Sequence, residues 1–448
     1  MSSLKELARL MGELEGQLVS CMRCGLCQAV CPLFAETGRE ADVARGKLAL
    51  LSGLAQEILT NPQGIQDHLS RCLLCGSCAA NCPSGVKVLD IFIQARAILA
   101  GYLGLSPVKK IIFRGLLSQP DWFNRILAWG AKFQGIFVKP VDDLLGSSCA
   151  RFMSPLLADR HFTALARTPW HVKVPRRDTA PGAANLRVAF FVGCLIDKLY
   201  PQVADAVLQV LGHHGVGVYL PAGQGCCGIP ALSGGDTQTF RQLMRLNLEL
   251  LDDPGAPCDF LVTACATCSA TIKKLWPLMM ADAEPAVQER VAALAAKTLD
   301  ISQFLADKLG VAPAAAISPA AGRIPLTYHD PCHLKKSLGV AAQPRVLLQA
   351  NPAYILTEMP ESDWCCGCGG SFNLQHYEAS AAIGRRKRDN IAASHCQVVA
   401  TGCPACMLQI TDMLSQAGMR VTVKHAVEIY AESLEFSRRA GKRSASRL

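Results

Sequence analysis

Two runs of closely spaced cysteines lie near the N-terminus. Each run reads C-x2-C-x2-C-x3-C with a proline directly after it, and the second run begins 51 residues after the first. Gaps of two residues bring successive sulfurs to neighbouring corners of one small metal–sulfur core, while the proline turns the backbone away and withholds an N–H. The eight cysteines are Cys21, Cys24, Cys27, Cys31, Cys72, Cys75, Cys78 and Cys82.

Bacterial ferredoxins use this spacing to hold a pair of [4Fe–4S] clusters. In that arrangement three cysteines of one run bind one cluster, and the fourth cysteine binds the cluster of the other run. A structural zinc site is disfavoured, because it uses two separated C-x2-C pairs. We therefore predict two sites: site A, formed by Cys21, Cys24, Cys27 and Cys82, and site B, formed by Cys72, Cys75, Cys78 and Cys31.

A longer repeat occupies the rest of the chain. Each copy contains a lone cysteine, then a C-C-G triplet and then C-x2-C, and the copies are 138 or 139 residues apart. Gly228 and Gly367, which follow the paired cysteines, suit a backbone that turns tightly against a ligand. Five thiols exceed the four that one zinc or one cubane cluster needs. The sets are Cys194, Cys226, Cys227, Cys265 and Cys268 in the first copy, and Cys332, Cys365, Cys366, Cys403 and Cys406 in the second.

Short motifs surround these cysteines: Gly225-Cys226-Cys227-Gly228, His329-Asp330-Pro331-Cys332-His333, Cys365-Cys366-Gly367-Cys368-Gly369-Gly370 and Gly402-Cys403-Pro404-Ala405-Cys406. With them, the repeat resembles the cysteine-rich "CCG" domains of heterodisulfide reductases. The whole layout is most similar to the iron–sulfur subunits of glycolate oxidase and to D-lactate dehydrogenase and lactate-utilization relatives. This resemblance implies a noncubane [4Fe–4S] cluster on one or both five-cysteine sets. A zinc site on four of the five thiols, or a set of reduced thiols, stays open as an alternative.

The elements that position these cysteines differ between the two repeats. Helical patterns at 43–58 and 88–99 flank the N-terminal runs, whereas short β-rich runs alternate with helices in the duplicated part. Each β-rich run leads to a motif cysteine, so we expect the cysteines to gather at the carboxyl edge of a small parallel sheet. The predicted strands are 187–193, 216–220, 260–263, 326–328, 354–358 and 398–401. The predicted fold class is α+β and multidomain: an N-terminal α-helical ferredoxin with two [4Fe–4S] sites, then two duplicated α/β cysteine-rich modules.

Stretches rich in Pro, Gly and Ala at 168–185 and 311–323 mark linkers. The predicted domains are a ferredoxin domain at 1–100, a helical extension and linker at 101–185, module 1 at 186–310, module 2 at 324–436 and a basic tail at 437–448.

Composition narrows the functional class. The chain has 448 residues, a net charge of +9 and 22 cysteines, with no stripe of basic and aromatic residues that would indicate nucleic-acid binding. No stretch has the length and apolarity of a membrane span, and the N-terminus does not look like an export signal. We therefore expect a reducing, cytoplasmic location in which the cysteines do metal or redox chemistry.

One segment suggests a surface contact. Within 109–139, Trp122, Ile126, Trp129 and Phe133 recur at helical spacing among basic residues. This pattern is compatible with a peripheral contact to the inner face of the cell membrane or to a partner, although a helix packed on the cluster domain is the favoured interpretation.

Two histidines, His329 and His333, bracket Cys332. They are candidates for donating to cluster sulfur or relaying protons, and structural histidines at a strand end fit the same pattern. No catalytic residue is predicted.

No dinucleotide-binding fingerprint or P-loop is present, so an electron carrier of this kind needs a partner that handles hydride. The resemblance implies an FAD-binding subunit that oxidises glycolate or D-lactate, with quinone or another carrier as electron acceptor. The predicted function is the iron–sulfur electron-transfer subunit of a flavin-dependent 2-hydroxyacid oxidoreductase, with little activity alone. The alternative is a heterodisulfide-reductase-like catalytic subunit that reduces a disulfide at a module cluster.

Overall fold

The computed structural model describes residues 4–152, 159–314 and 322–434. The predicted basic tail at 437–448 and residues 315–321 of the predicted second linker lie outside this part. The chain divides into two compact units. The first contains Met1–Gln119, Gly228–Met244 and Trp364–Arg386, and the second contains Pro120–Cys227, Arg245–Asp363 and Lys387–Leu448. The consecutive domain boundaries given above stay a prediction.

The N-terminal part of the first unit is helical, as predicted. Leu7, Met11, Leu14 and Leu18 form a buried stripe at helical spacing. Proline at the first helical position starts two of the helices, and the Asn61 side chain caps one of them by accepting the Gly64 N–H at 3.0 Å. The helices are Leu4–Gly12, Glu15–Leu18, Leu26–Ala29, Pro32–Thr37, Glu40–Asp42 (3-10), Ala44–Ala55, Pro62–Ser70, Ser77–Ala80 and Val88–Leu103.

The two cysteine loops of this part share one backbone path. Arg23 and Leu74, which are 51 residues apart, both have a left-handed φ, 57° and 55°. Gly25 and Gly76 follow with φ of 88° and 74°. Left-handed residues at matching positions show that the repeat extends from the cysteines to the turns that present them.

Three further helices follow: Pro107–Lys110, the π-helical Ile111–Leu117, and Pro120–Phe137. An antiparallel sheet then forms from β1 (Val138–Asp142), β2 (Ser147–Ala150) and β3 (His161–Thr163), in the order β1-β2-β3. The sequence analysis predicted a helical extension and linker here and missed this sheet, because its strands are short and lack alternating hydrophobic residues.

The first module contains β4 (Arg177–Asp178), β5 (Arg187–Phe190), β6 (Gly217–Leu220), β7 (Phe260–Thr263) and β8 (Thr298–Asp300). The sheet order is β4-β6-β5-β7-β8, and every pairing is parallel except that of β4. The helices of this region are Trp170–Lys173, Cys194–Lys198, Pro201–His213, Ile229–Ser233, Thr237–Leu251, Ala266–Ala270, Thr271–Leu275, Trp276–Met279, Pro285–Lys297, Ile301–Gln303 and Phe304–Lys308.

The second module contains β9 (Ile324–His329), β10 (Tyr354–Leu356), β11 (Val398–Thr401) and β12 (Thr422–His425). All pairings are parallel, in the order β10-β9-β11-β12. Its helices include His333–Ser337, Ala342–Gln349, Ser371–Gln375, Tyr377–Ala393 and Pro404–Gln416.

The two modules therefore have the same topology, since β6-β5-β7-β8 corresponds to β10-β9-β11-β12. Val188, Ala189 and Phe190 of β5 are fully buried, as expected of parallel strands that are covered on both faces. The predicted fold class, a helical ferredoxin domain followed by duplicated α/β modules, is confirmed.

Among the described residues, no single helix is long and apolar enough to cross a membrane. Only Val88–Leu103 together with Pro107–Leu117 meets the length and composition requirement, and this pair is bent by 112°.

Candidate metal centres

Site A forms a pocket in the first unit. The predicted ligands Cys21, Cys24, Cys27 and Cys82 all line it, together with Cys78. The pocket opens towards solvent, since Cys24 is exposed. The pocket thus brings Cys82 of the second run beside three cysteines of the first, and the ligand assignment stays a prediction.

Site B is more deeply buried. Burial, with the nearby Cys75 and Cys72 thiols, raises the pKa of Cys31 to about 12. Burial, with Cys72, Cys75 and Cys31 as neighbours, raises the pKa of Cys78 well above its usual value. Cys31 thus lies with the cysteines of the other run, as the ferredoxin pattern predicts. The fourth cysteine of each run lies with the three of the other.

Hydrogen bonds from the backbone reach the sulfurs of site B. The Phe34 N–H donates to Cys31 Sγ at 3.5 Å, and the Leu74 N–H donates to Cys72 Sγ at 3.4 Å. Cys75 Sγ and Ser77 Oγ are 3.4 Å apart. Such contacts stabilise thiolate charge and, in iron–sulfur proteins, tune the reduction potential.

Two buried cations lie beside site B, and the sequence analysis missed both. The Lys47 ammonium, 1% exposed, donates to the carbonyls of Asp42 at 2.5 Å and Ala41 at 3.2 Å. Burial lowers the pKa of Lys47, while the nearby Cys72, Asp42 and Cys31 raise it. Lys47 shares a helical stripe with Leu51 and Leu54, and a lone charge on an apolar stripe is the sequence signal that could have revealed it.

Arg96 is the second cation. It is 7% exposed and donates to the carbonyls of Cys72 at 2.8 Å, Ser233 at 3.0 Å and Leu69. Its guanidinium therefore fastens the loop that begins site B to two neighbouring segments of the first unit.

The first module brings its five thiols together within the second unit. Cys194 Sγ and Cys226 Sγ are 3.7 Å apart. Cys226 also contacts Cys227, Cys227 contacts Cys268, and Cys268 contacts Cys265. The neighbouring thiols, with burial, raise the pKa of Cys226 well above its usual value, because adjacent thiolates repel each other.

Backbone and side chains fix these thiols in place. Gly193 has a φ of 78°, and a Cβ there would lie 3.2 Å from Cys268 Sγ. The Asn247 side chain accepts the Gly225 N–H at 2.9 Å and donates to the Cys226 carbonyl at 3.0 Å. The Trp276 indole N–H donates to the Cys227 carbonyl at 3.1 Å.

The C-x2-C segments of the two modules meet. Cys265 is hydrogen-bonded to Cys403, which also contacts Cys406. The Ala266 N–H donates to the Gly402 carbonyl at 3.1 Å. Donors on Cys265 and Cys406 hold the pKa of Cys403 well below its usual value. The thiols of the two modules therefore form one continuous chain in this unit.

Thr267, also at this junction, has its hydroxyl 3.4 Å from Cys403 Sγ and 3.1 Å from His333 Nδ1.

Module 2 contributes cysteines to both compact units. Cys332, Cys403 and Cys406 belong to the second unit, whereas Cys365 and Cys366 belong to the first. Gly367 has a φ of 93°, and its counterpart Gly228 has a φ of 95°. A Cβ at Gly367 would lie 2.4 Å from the Ser380 carbonyl oxygen, so glycine is required at this turn, as the sequence analysis expected.

His329, the last residue of β9, is fully buried. Neither ring nitrogen has a hydrogen-bond partner of ordinary geometry among the described residues, although the Ser362 carbonyl lies nearby. Burial, with the Lys387 charge, lowers the pKa of His329 to about 3, so its imidazole is neutral. His333 instead faces Thr267.

Several other buried polar atoms at the carboxyl ends of these strands have no hydrogen-bond partner among the described residues. They belong to Thr263, Asp300, Ser302, Thr327, Tyr328, Thr401 and His425. Burial raises the pKa of Asp300 to about 7 and lowers that of His425 to about 4. Unsatisfied polar atoms are rare in protein interiors, and their concentration at the strand ends marks the edge where α/β sheets bind ligands.

The donor sets fit iron–sulfur clusters better than free thiols. Many buried sulfurs lie in contact, and they cannot all ionise unless a multiply charged metal core offsets their repulsion. Of the remaining cysteines, Cys149 lies in β2, Cys258 and Cys396 occupy loops, and Cys368 is buried two residues after the second pair.

Comparison with known proteins agrees with this geometry. The family model of the 4Fe–4S dicluster domain matches residues 17–86, and that of the cysteine-rich CCG domain matches 188–273 and 326–411. The chain is 30% identical to lactate utilization protein A of Exiguobacterium sp. (strain ATCC BAA-1283 / AT1b) over 248 residues, which are 55% of this chain and 98% of that protein. The chain belongs to the family of this protein and of the glycolate oxidase iron–sulfur subunits.

Two further relatives resemble the chain over nearly its whole length. A probable glycolate oxidase iron–sulfur subunit of Bacillus subtilis (strain 168) is 27% identical over 97% of this chain and 99% of its own length. One subunit of a dihydromethanophenazine:CoB–CoM heterodisulfide reductase from Methanosarcina barkeri (strain Fusaro / DSM 804) is 26% identical over 94% of this chain and 95% of its own length. The chain is thus an iron–sulfur protein with an electron-transfer role, related to oxidoreductase subunits.

Proposed function

We propose that the chain is the iron–sulfur subunit of a flavin-dependent oxidoreductase for a 2-hydroxy acid, glycolate or D-lactate. A partner FAD subunit oxidises the acid, and the chain carries the electrons to quinone or another acceptor. The observation that carries this proposal is the end-to-end match with a glycolate oxidase iron–sulfur subunit, which covers the cluster domain and both modules.

We assign one [4Fe–4S] cluster to site A and one to site B, supported by the way the fourth cysteines are exchanged between the runs. A further noncubane [4Fe–4S] cluster is assigned to the five gathered thiols of module 1. The internal repeat extends this assignment to Cys332, Cys365, Cys366, Cys403 and Cys406 of module 2. Bound clusters would supply one-electron steps between the flavin and the acceptor.

The surroundings of sites A and B suit them to different roles. Site A has an exposed cysteine, so it suits electron exchange with a partner. Site B has no exposed cysteine and is flanked by the buried Lys47 and Arg96, so it suits electron storage inside the domain.

The test is substrate-dependent reduction. The full chain is co-purified without oxygen with a co-expressed FAD-dependent 2-hydroxyacid dehydrogenase subunit, and glycolate, D-lactate or glycerol 3-phosphate is added while the iron–sulfur absorbance is followed. We expect one 2-hydroxy acid to bleach this absorbance only when the flavoprotein is present. As a control, the same complex carrying Cys27→Ala and Cys75→Ala should keep the flavin signal and lose electron transfer. Bleaching by glycerol 3-phosphate alone would contradict the proposed substrate class.

A second candidate is reduction of a disulfide at the modules. Two observations favour it: the continuous chain of thiols from Cys194 to Cys406, and the match to a heterodisulfide reductase subunit over most of both chains. This candidate predicts that the isolated chain, with a reduced viologen as electron donor, converts a disulfide to thiols. The leading proposal predicts no such turnover without a flavoprotein.

We further propose that the helix Pro120–Phe137 contacts an anionic membrane surface. Its aromatic stripe is exposed: Trp122 by 58%, Trp129 by 72% and Phe133 by 41%. The opposite face is fixed to the second unit, because Ala131 is buried and the Gln134 side chain exchanges two 2.9 Å hydrogen bonds with the Leu165 backbone. The stripe is therefore not packed against described residues, contrary to one of the two interpretations of the sequence.

Basic residues indicate which surface the stripe meets. Arg125 and Lys132 lie along one edge of it, and the Lys132 ammonium is 5.8 Å from the centre of the Phe133 ring. Tryptophan beside lysine and arginine is typical of helices that lie in the interface of anionic bilayers.

Vesicle flotation tests this contact. We expect the chain to float with phosphatidylcholine vesicles that contain phosphatidylglycerol, and Trp122→Ser/Trp129→Ser to abolish this. Leu374→Ser, at another exposed apolar residue, is the control. If the double variant floats normally but no longer binds the flavoprotein, the stripe is a subunit interface and the membrane proposal is wrong.

A further inference from the structure

Among the described residues at the strand ends that have an unsatisfied polar atom, His329 is the one in which two side-chain atoms, both ring nitrogens, are unsatisfied. It is 0% exposed, and neither ring nitrogen makes a hydrogen bond of ordinary geometry with a described residue. Leaving a buried polar group unsatisfied costs about 1–3 kcal/mol. An unsatisfied imidazole in this environment costs stability, so a binding role accounts for the residue better than a structural one.

The surroundings of His329 indicate what it binds. A ligand atom of its ring lies within 4.8 Å of Cys406 Sγ, which belongs to the C-x2-C of module 2. The carbonyl of Ser362 lies near the ring. That carbonyl is held in place by the buried Lys387 ammonium at 3.2 Å, and the same ammonium donates to the Glu361 carbonyl at 2.6 Å. A histidine between a thiol and a fixed carbonyl has the arrangement of a metal ligand with its supporting acceptor.

Module 1 provides an internal comparison. The shift of 138 residues that relates Cys194 to Cys332 places Phe191 at the position of His329. Phe191 is also 0% exposed. The five cysteines are thus common to both modules, whereas a nitrogen donor at this position occurs only in the second.

We propose that one ring nitrogen of His329 binds iron at the cluster of module 2, while the other ring nitrogen donates its hydrogen to the Ser362 carbonyl. The inference rests on the proposed function, because it assumes that this module holds a cluster. His329 thus adds one neutral nitrogen donor to the five thiols of module 2, a ligand that module 1 lacks because it carries Phe191 at this position.

The experiment uses the full chain, purified without oxygen and reduced, with either natural or ¹⁵N-labelled histidine. Pulsed EPR should detect a histidine nitrogen coupled to a cluster, and the coupling should change on ¹⁵N labelling. It should vanish in His329→Phe, which introduces the residue that module 1 carries. It should persist in the control His214→Gln, because the ring of His214 lies 2.9 Å from the Tyr430 hydroxyl and outside every cysteine motif. The signals of sites A and B should be the same in all these proteins.

The outcomes separate the ligand role of His329 from the assignment of clusters to the modules. A wild-type protein with about sixteen iron per chain and no histidine coupling overturns the ligand role of His329 and leaves the module clusters standing. A wild-type protein with about eight iron overturns both. The labelled wild-type protein gives an answer even if His329→Phe does not fold, and His329→Gln provides a second, polar substitution that should also lose the coupling.

Discussion

Sites A and B share one cysteine pattern but lie in different surroundings. Site A opens to solvent beside the Arg45–Glu40 ion pair, whose side chains are 29% and 45% exposed. Site B is less accessible to solvent: Cys75 is 8% exposed and Lys47 only 1%, while Cys31, Cys72 and Cys78 are half-buried. The repeat specifies which sulfurs meet, whereas the residues between the two runs determine solvent access and local charge.

This difference gives the two sites distinct expected properties. Buried positive charge and N–H···S hydrogen bonds stabilise the reduced cluster, and solvent screens the charges around an exposed one. We therefore expect site B to have the higher reduction potential and site A to exchange electrons with partners.

The exchange of fourth cysteines is the feature whose loss should have the largest effect. Cys82→Ala should remove about four iron per chain and the same EPR signal that Cys21→Ala removes, because both residues belong to site A. Cys31→Ala and Cys72→Ala should each remove the other EPR signal, because both residues belong to site B. Cys149→Ala, outside every motif, should keep all the iron. If Cys82→Ala instead removes the same EPR signal as Cys72→Ala, each run holds its own cluster and the assignment is wrong.

Arg96 should matter next, through stability. Arg96→Met leaves the buried carbonyls of Cys72 and Ser233 without their donor, so we expect a loss of about 1–3 kcal/mol in the free energy of unfolding. Anaerobic denaturant titration would measure it. Arg9→Met, at an exposed ion pair, should change stability far less. An equal loss in both variants would show that Arg96 does not fasten the site B loop.

Lys47 should act on potential rather than on cluster content. Lys47→Met removes a buried positive charge close to Cys72 and Cys31, so the midpoint potential of site B should fall by tens of millivolts. Redox titration followed by EPR would resolve the two sites, and the midpoint potential of site A should not change. Lys47→Arg, which keeps the charge, should leave both potentials nearly unchanged. A fall of equal size in the midpoint potentials of both sites would contradict the claim that Lys47 acts on site B alone.

Arg45 should give the smallest effect. Its guanidinium lies near Cys27 but is partly exposed and paired with Glu40, whose pKa it lowers by hydrogen bonding. Arg45→Gln should shift the potential of site A slightly at low ionic strength, and the shift should disappear at high salt. A shift that persists in high salt would mean that site A is shielded from solvent.

The sequence predicted what depends on local spacing. The spacing of the cysteine runs indicated candidate ligand sets, which stay a prediction. The strands β7 and β11 begin and end where the β-rich runs do, because buried parallel strands are continuous apolar segments. The paired glycines Gly228 and Gly367 were recognised from their position after the cysteines.

Long-range contacts were not predictable in the same way. The sheet β1-β2-β3 depends on pairing between short, polar strands, and the contact between Cys265 and Cys403 depends on how two modules meet. Lys47 and Arg96 lie on apolar stripes of their helices, but their proximity to site B follows from the tertiary fold.

The metal content of the anaerobically purified chain tests the assignment of four clusters most directly. We predict about sixteen iron and about sixteen acid-labile sulfide per chain, four of each per site, and no zinc. About eight iron would restrict clusters to sites A and B and contradict the module assignment. Zinc in place of iron, or iron without sulfide, would contradict the account as a whole.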